Sequence, residues 1–241
     1  MKVLYVTTIS KTMLFFIDQF KSLFEMGHTV ELACNCDIPL CDDKAVMGMK
    51  VYNIPFSRSP LSKDNLIAYR ELKELIEYEK PDIVHCHTPN AAVITRLVCK
   101  GMRKYGINVF YTAHGFHFYK GAPLINWILY YPVEWICAHW TDVLITINNE
   151  DFALAKKKMK SKKIVYIPGV GINLNKYNRV IVDRKKKRAE IGIPENARLL
   201  ISVGELNQNK NHETVIRAIA GMDVYYIIAG QGQVKVIRKN I

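Results

Sequence analysis

The sequence lacks an uninterrupted apolar run long enough to cross a membrane as a helix. The nearest stretch, residues 122–140, is interrupted by a proline and by polar side chains, whereas a spanning helix needs about 20 predominantly apolar residues. A secretory signal peptide is also lacking, because Met1 leads directly into a short strand-like run. These absences predict a cytoplasmic protein.

The six cysteines include no C-x-x-C pair. Cys86 and Cys137 fall in apolar runs, which is typical of small buried side chains in a reducing compartment. The cysteines therefore agree with a cytoplasmic location.

Acidic residues are scarce, with 22 Asp and Glu against 34 Lys and Arg, so the net charge is +12. Much of the excess lies in two runs, residues 156–163 and 184–188. Such basic runs could bind nucleic acid, an anionic membrane surface or phosphorylated ligands. Alternatively, they are charged surfaces in contact only with solvent. Nucleic acid ranks lowest, because the runs lack interleaved aromatic residues for base stacking.

The turn after the first predicted strand, residues 7–12, contains no glycine. The G-x-G-x-x-G dinucleotide fingerprint is therefore absent, which counts against a nicotinamide or flavin enzyme. We expect no organic cofactor.

Short apolar runs alternate with amphipathic helical patterns along the chain. This alternation predicts an α/β protein with a doubly wound parallel sheet. The seven predicted strands cover residues 3–6, 28–33, 50–54, 82–87, 107–112, 142–147 and 164–167.

The pattern then starts again after a polar and basic stretch. Residues 1–168 are predicted as a Rossmann-like domain, residues 169–195 as a linker, and residues 196–241 as the start of a second Rossmann-like domain. A single βαβ unit cannot cover both faces of a parallel sheet, so we expect the second domain to be incomplete.

In open parallel sheets, ligands bind outside the carboxyl ends of the strands. An imidazole there can hold a proton near neutral pH or contact a sugar hydroxyl or phosphate. By alternation His85 and His87 share one face, and His114 could complete a metal site with them, but no carboxylate or cysteine stands at matching spacing. The residues expected to line this cleft are Thr7, Thr8, Ser10, His87, His114, Gly115 and His117.

Four stretches carry a resemblance to a known family: Thr112-Ala-His-Gly-Phe-His-Phe-Tyr-Lys-Gly121, Thr141-Asp-Val-Leu-Ile-Thr-Ile-Asn148, Ile167-Pro-Gly-Val-Gly-Ile-Asn173 and Val203-Gly-Glu-Leu-Asn-Gln-Asn-Lys-Asn-His212. In this order and spacing they resemble the family 4 glycosyltransferases of GT-B architecture, especially bacterial enzymes of capsule and exopolysaccharide synthesis.

The resemblance implies a retaining sugar transfer from a nucleotide-sugar donor, usually without a metal ion. The amino-terminal domain would hold the acceptor and the second domain the nucleotide. His114 matches the family's histidine at the transferred sugar, while Gly204 and Lys210 match residues that meet the donor diphosphate. Two features depart from the pattern: Glu205 stands where many relatives have arginine, and the family's paired-glutamate motif would follow residue 241.

The expected acceptor is a lipid-linked saccharide at the inner membrane face. An aromatic helix over residues 123–140 suits either a membrane interface or a packed core, and the lysine run 156–163 could share its surface. Peripheral membrane binding is therefore a second expectation. The alternatives are a nucleotide-sugar epimerase of the same architecture and a non-catalytic binding module left by truncation.

Overall fold

The computed structural model describes residues 1–38, 40, 48–172, 174 and 181–232 of the 241-residue chain. The chain divides into two compact units, Met1–Ile172 and Asn173–Ile241. The stretch expected as a linker, residues 169–195, contains a helix, Arg184–Glu190, within the second unit. Residues 173 and 175–180 of that stretch, and residues 233–241 of the expected second domain, lie outside the described residues.

The first unit contains a seven-stranded parallel sheet in the order β3-β2-β1-β4-β5-β6-β7, which confirms the predicted doubly wound α/β fold. The interior strand β1 is buried on both faces, as its continuous apolar run predicts. The strands are β1 (Lys2–Ile9), β2 (Thr29–Asn35), β3 (Lys50–Asn53), β4 (Ile83–His87), β5 (Asn108–Ala113), β6 (Val143–Thr146) and β7 (Lys163–Tyr166).

Helices cover both faces of this sheet because successive side chains of a strand point to opposite sides. Tyr5 of β1 belongs to one core cluster with Phe16 and Phe20, whereas its neighbour Leu4 belongs to the other cluster with Leu72. The first cluster lies under α1 (Ser10–Met13), the turn Leu14–Phe16 and α2 (Ile17–Glu25), and the second lies under α3 (Asp64–Glu79), α4 (Pro89–Cys99), α5 (Leu124–Ala138) and α6 (Asn149–Lys158).

The helix α5 buries its only charged residue and exposes apolar ones. Glu134 is buried and accepts two hydrogen bonds from the guanidinium of Arg96, at 2.8 and 3.1 Å. Trp127 and Tyr131 pack against the core cluster. The outward residues are Leu124, Ile125, Ile128, Leu129, Val133, Trp135 and Ile136; among the described residues, no helix is both long and apolar enough to cross a membrane.

The second unit contains a parallel pair, β8 (Leu199–Val203) and β9 (Tyr225–Ala229), joined through α8 (His212–Ala218). It is preceded by α7 (Arg184–Glu190). Asp183 caps this helix, because its carboxylate accepts hydrogen bonds from two backbone N–H groups of the first turn. Within the described part of this unit, only Arg188 and His212 are buried. Its described residues therefore contribute little apolar core.

Candidate active site at the carboxyl ends of the central strands

The carboxyl ends of β1, β4 and β5 bring the predicted histidines together. His87 ends β4 and pairs in register with Thr112 of β5, so that His114, two residues further on, follows the end of β5 at the same edge. Nδ1 of His87 and Nε2 of His114 lie 3.1 Å apart and share one hydrogen bond. Two of the residues predicted to line the cleft, His87 and His114, thus form a pair.

His87 lies beneath His114 and is enclosed by aromatic rings. Its ring stacks on Tyr5 with a centroid distance of 5.5 Å and lies 4.2 Å from the ring of Phe16. The residue is 1% exposed, and its Nε2 has no hydrogen-bond partner among the described residues. His87 therefore lines no surface itself and supports His114 from below.

A third histidine extends this stack. The His85 and His87 rings lie 4.2 Å apart, which confirms their predicted common face. Nε2 of His85 lies 2.8 Å from the hydroxyl of Thr112. We call His85, His87 and His114 the histidine stack.

Burial keeps the histidine stack uncharged near neutral pH. Burial, with a smaller contribution from the charged form of His114, lowers the pKa of His85 to about 3. Burial and the two neighbouring rings hold the pKa of His87 well below its ordinary value, and burial also lowers the pKa of His114. A neutral His114 can donate one hydrogen bond and accept another.

His114 opens into a cavity of about 440 Å³. Gly115 beside it has a φ of 143°, a conformation that side chains rarely adopt, so this turn requires glycine. The cavity is lined by Thr12, Phe15, Phe16, Thr88, Pro89, Tyr111, His114, Gly115, Ile147 and Val170.

A second cavity of about 310 Å³ adjoins the first, because both share Thr12, Thr88 and Pro89. We call the first the histidine cavity and the second the arginine cavity. The arginine cavity is lined by Thr8, Ile9, Thr12, Arg58, Pro60, Thr88, Pro89, Asn90, His117 and Tyr130.

Of the cleft residues predicted to follow β1, Thr7 and Thr8 belong to the carboxyl end of the strand and Ser10 begins α1. Thr8 lines the arginine cavity, and its hydroxyl lies 2.7 Å from that of Thr88. Thr7 and Ser10 are buried and line neither cavity: Thr7 donates to the backbone oxygen of Ile9, and Ser10 donates to Asp37 at 2.6 Å. Both side chains hold the turn after β1 in place.

Thr88 at the junction of the cavities was missed by sequence reasoning. It has φ 64° and ψ 140°, which is unusual for a β-branched residue. Its hydroxyl accepts a hydrogen bond from the backbone N–H of Thr8 at 2.9 Å and donates to the carbonyl of His87. Such strain clusters at functional sites, but only the position before Pro89 gave a signal in the sequence.

In the second unit, Gly204 and Lys210 lie together. Gly204 follows β8, and a side chain on it would lie 3.5 Å from the methylene groups of Lys210. The carboxylate of Glu205 accepts a hydrogen bond from Asn207, whose side chain caps the turn ending at Lys210. Among the described residues of the chain, no group of three His, Cys, Asp or Glu side chains could hold a metal ion.

Comparison with known proteins gives the family. Residues 2–149 match the glycosyl transferase 4-like family. The chain belongs to this family, which confirms the resemblance seen in the sequence motifs.

Two curated relatives agree with this assignment. The chain is 40% identical over 228 residues to glycosyltransferase EpsD of Bacillus subtilis (strain 168), an alignment covering 90% of this chain and 58% of the relative. It is 28% identical over 229 residues, with the same coverages, to the UDP-Gal:alpha-D-GlcNAc-diphosphoundecaprenol alpha-1,3-galactosyltransferase of Escherichia coli. The chain thus spans under two thirds of the length of these relatives.

Solved structures show the same fold. Anabaena Alr3699/HepE, solved in complex with UDP and glucose, has a TM-score of 0.76 and 16% identity, covering 100% of this chain and 66% of that one. The UDP-GlcNAc 2-epimerase of Neisseria meningitidis, bound to UDP-GlcNAc, has a TM-score of 0.68 and 14% identity, covering 100% and 68%. These similarities confirm the GT-B-like architecture.

Proposed function

We propose that the chain acts as a retaining glycosyltransferase that transfers a sugar from a nucleotide-sugar donor to a lipid-linked saccharide in exopolysaccharide or capsule synthesis. The observation that carries the proposal is the neutral His114, held by His87 at the mouth of the histidine cavity. Family membership supports the reaction class, and the name of the Escherichia coli relative supports a diphosphate-linked lipid acceptor.

In this reaction an acceptor hydroxyl oxygen bonds to the anomeric carbon of the donor sugar. The bond from that carbon to the phosphate oxygen breaks, and the nucleoside diphosphate leaves with the electron pair. With retention, the hydroxyl proton passes to the departing phosphate on the same face. His114 hydrogen-bonds a hydroxyl of the transferred sugar, and Lys210 beside Gly204 supplies a point charge to the donor diphosphate. No metal ion or other cofactor takes part in the proposed reaction.

Turnover tests this role of His114. Purified protein is incubated with nucleotide-sugars and a polyprenyl diphosphate-linked saccharide, and release of nucleoside diphosphate is followed. We expect His114→Ala to lower kcat by about 100-fold or more, the size typical of lost transition-state hydrogen bonds. The fold should be retained because His114 lines a cavity and belongs to neither hydrophobic core cluster. His28→Ala, at the opposite edge of the sheet, is the matched control, and equal kcat in both variants would refute the role.

A nucleotide-sugar epimerase is the second candidate, because solved structures of this fold include UDP-GlcNAc 2-epimerases. The two activities differ in product. Transfer releases a nucleoside diphosphate only when an acceptor is present, whereas epimerisation gives an isomeric nucleotide-sugar without any acceptor. Binding without either product would instead favour a non-catalytic module.

The outward face of α5 supports peripheral membrane binding. Leu124, Ile128 and Leu129 are 75%, 59% and 56% exposed, and α5 presents no charged residue outward. The exposed lysines of residues 156–163 lie in the last turn of α6 and directly after it, and α6 lies on the same face of the sheet as α5. Apolar side chains would enter the interface while lysines attract anionic lipid.

Vesicle co-sedimentation tests the membrane proposal. The protein should pellet with anionic vesicles at low salt and be partly released at high salt, because only the charge contribution is screened. Leu129→Glu should reduce pelleting at both salt concentrations. Leu66→Glu is a matched control, since Leu66 is 68% exposed but lies on α3; equal recovery with neutral and anionic vesicles would refute the proposal.

A further inference from the structure

The arginine cavity has the chemistry of an anion site. Arg58 is its only lining residue with a fixed charge, and no carboxylate lines it. Within the described part of the chain, the Arg58 guanidinium has no ion pair or hydrogen bond, so its donors are available. Other hydrogen-bonding side chains face the cavity from Thr12, Asn90 and His117.

The loop that carries Arg58 is fixed from two sides. Nδ2 of Asn90 donates to the backbone oxygens of Ser57 and Arg58, at 2.9 and 2.7 Å. Asn65 accepts from the backbone N–H of Ser57 at 3.0 Å and donates to the oxygen of Ser59 at 2.8 Å. These bonds hold the Arg58 backbone against α4, so the cation is presented to the cavity by an ordered loop.

The lining of the arginine cavity includes a residue of α5. Tyr130 lines the cavity and stacks on His117, with ring centroids 4.6 Å apart. Val133, three residues further along α5, is 40% exposed and lies beside Tyr130 on the helix surface. The arginine cavity also meets the histidine cavity at Thr12 and Thr88.

The arginine cavity therefore has neighbours of two kinds in the first unit. It adjoins the histidine cavity with the neutral His114 through the shared Thr88, and its own residue Tyr130 belongs to α5, whose outward side chains are apolar. An amphiphile that carries a phosphate group between a sugar and a hydrocarbon chain matches a cation with these two neighbours. The volume of about 310 Å³ falls in the range of small-molecule sites, roughly 300–1,000 Å³.

We propose that the arginine cavity binds the phosphate groups of a lipid diphosphate, with Arg58 as the cation. The hydrocarbon chain leaves past Tyr130 along α5, and the sugar on the diphosphate reaches through the junction at Thr88 towards His114. This assignment rests on the proposed glycosyltransferase function, because that proposal identifies the lipid diphosphate as part of the acceptor.

Binding of farnesyl diphosphate to the chain, without any sugar donor, tests the assignment by titration calorimetry. Arg58→Gln should weaken binding by about 10- to 100-fold, the factor for a lost charged hydrogen bond. Arg70→Gln is the matched control, because Arg70 is an exposed arginine on α3 outside both cavities. Equal affinity of Arg58→Gln and the unaltered chain, or absence of binding, would overturn the proposal.

Three further ligands identify what the cavity recognises. Farnesol should not bind, which shows the need for phosphate, and inorganic diphosphate should bind at least about 10-fold more weakly because it lacks the apolar chain. UDP should not displace farnesyl diphosphate; displacement that depends on Arg58 would assign the cavity to a nucleotide instead and overturn the lipid assignment. Because no turnover is measured, failure here is distinguishable from failure of the transferase proposal, which would appear in the release of nucleoside diphosphate.

Discussion

Mild acid should destabilise the first unit mainly through His85 and His87, which are 9% and 1% exposed. Burial lowers the pKa of His85 to about 3 and that of His87 well below its ordinary value. An unfolded histidine takes up a proton near pH 6.5. The stability that each neutral ring contributes is therefore complete above about pH 6.5 and is lost as the pH falls towards the folded pKa.

The size of the effect follows from these pKa values. Between about pH 7 and about pH 5, a histidine that protonates only in the unfolded chain costs about 2 kcal/mol, so the two together cost about 4 kcal/mol. Glu79 adds little in this window, because its hydrogen bonds to Lys2, Tyr52 and Lys50 lower its pKa to about 2 and an unfolded glutamate titrates at about pH 4.3. The loss is a large share of the roughly 5–15 kcal/mol by which domains are stable.

Urea unfolding at about pH 7 and about pH 5 measures this loss. Tryptophan fluorescence reports on the first unit alone, because all three tryptophans lie there. His85→Gln keeps a hydrogen-bonding atom for Thr112 but takes up no proton, so the loss between the two pH values should fall from about 4 to about 2 kcal/mol. His28→Gln should keep the full loss. Equal losses in the unaltered chain and in His85→Gln would refute the reasoning.

Two further predictions concern packing. Arg96→Ala should destabilise the first unit by about 3–5 kcal/mol in the same urea assay, because it leaves Glu134 buried without its partner. The double variant Arg96→Met with Glu134→Leu should recover most of that loss, and a double variant as unstable as Arg96→Ala would contradict this account. Limited proteolysis should cut first within residues 169–194 and leave a resistant first unit. The reason is that the described part of the second unit buries little apolar surface. A single resistant fragment of all 241 residues would contradict that prediction.

The strands and most helices could be predicted from sequence because each is a local pattern. The run at residues 3–6 identified β1, although the structure extends it to Lys2–Ile9, since the threonines after the run continue the buried strand. The proximity of His87 and His114 could also be predicted, because the parallel pairing of β4 and β5 places their carboxyl ends at the same edge of the sheet.

The arginine cavity could not be predicted in the same way. Arg58, Asn90 and Tyr130 come from three segments far apart in the chain, and none of them stands in a recognisable pattern. Their proximity depends on hydrogen bonds such as that from Asn90 to the backbone of Arg58. A single sequence does not show which distant residues come into contact. Arg58 could therefore not be distinguished from the other arginines of the chain.

The orientation of α5 was left open by the sequence for a different reason. Sequence patterns place charged residues outside a helix, but here Glu134 faces inward because Arg96 of α4 pairs with it. Trp127 and Tyr131 pack against the core on the same side as Glu134, and most of the other apolar residues of α5 are exposed. To predict which side of α5 faces the core, one must know that Glu134 pairs with Arg96, 38 residues away in the chain.

The neutrality of the histidine stack connects the fold to the proposed chemistry. Positive charge develops on the sugar as a glycosidic bond breaks, and a protonated imidazole nearby would oppose it. The structure avoids this charge because the partial burial of His114 lowers its pKa, while burial also lowers the pKa values of His87 and His85 beneath it. His114 can then hydrogen-bond the sugar without adding a repelling charge. Burial therefore costs stability in acid at His85 and His87, and at His114 it favours the neutral form that the proposed sugar transfer requires.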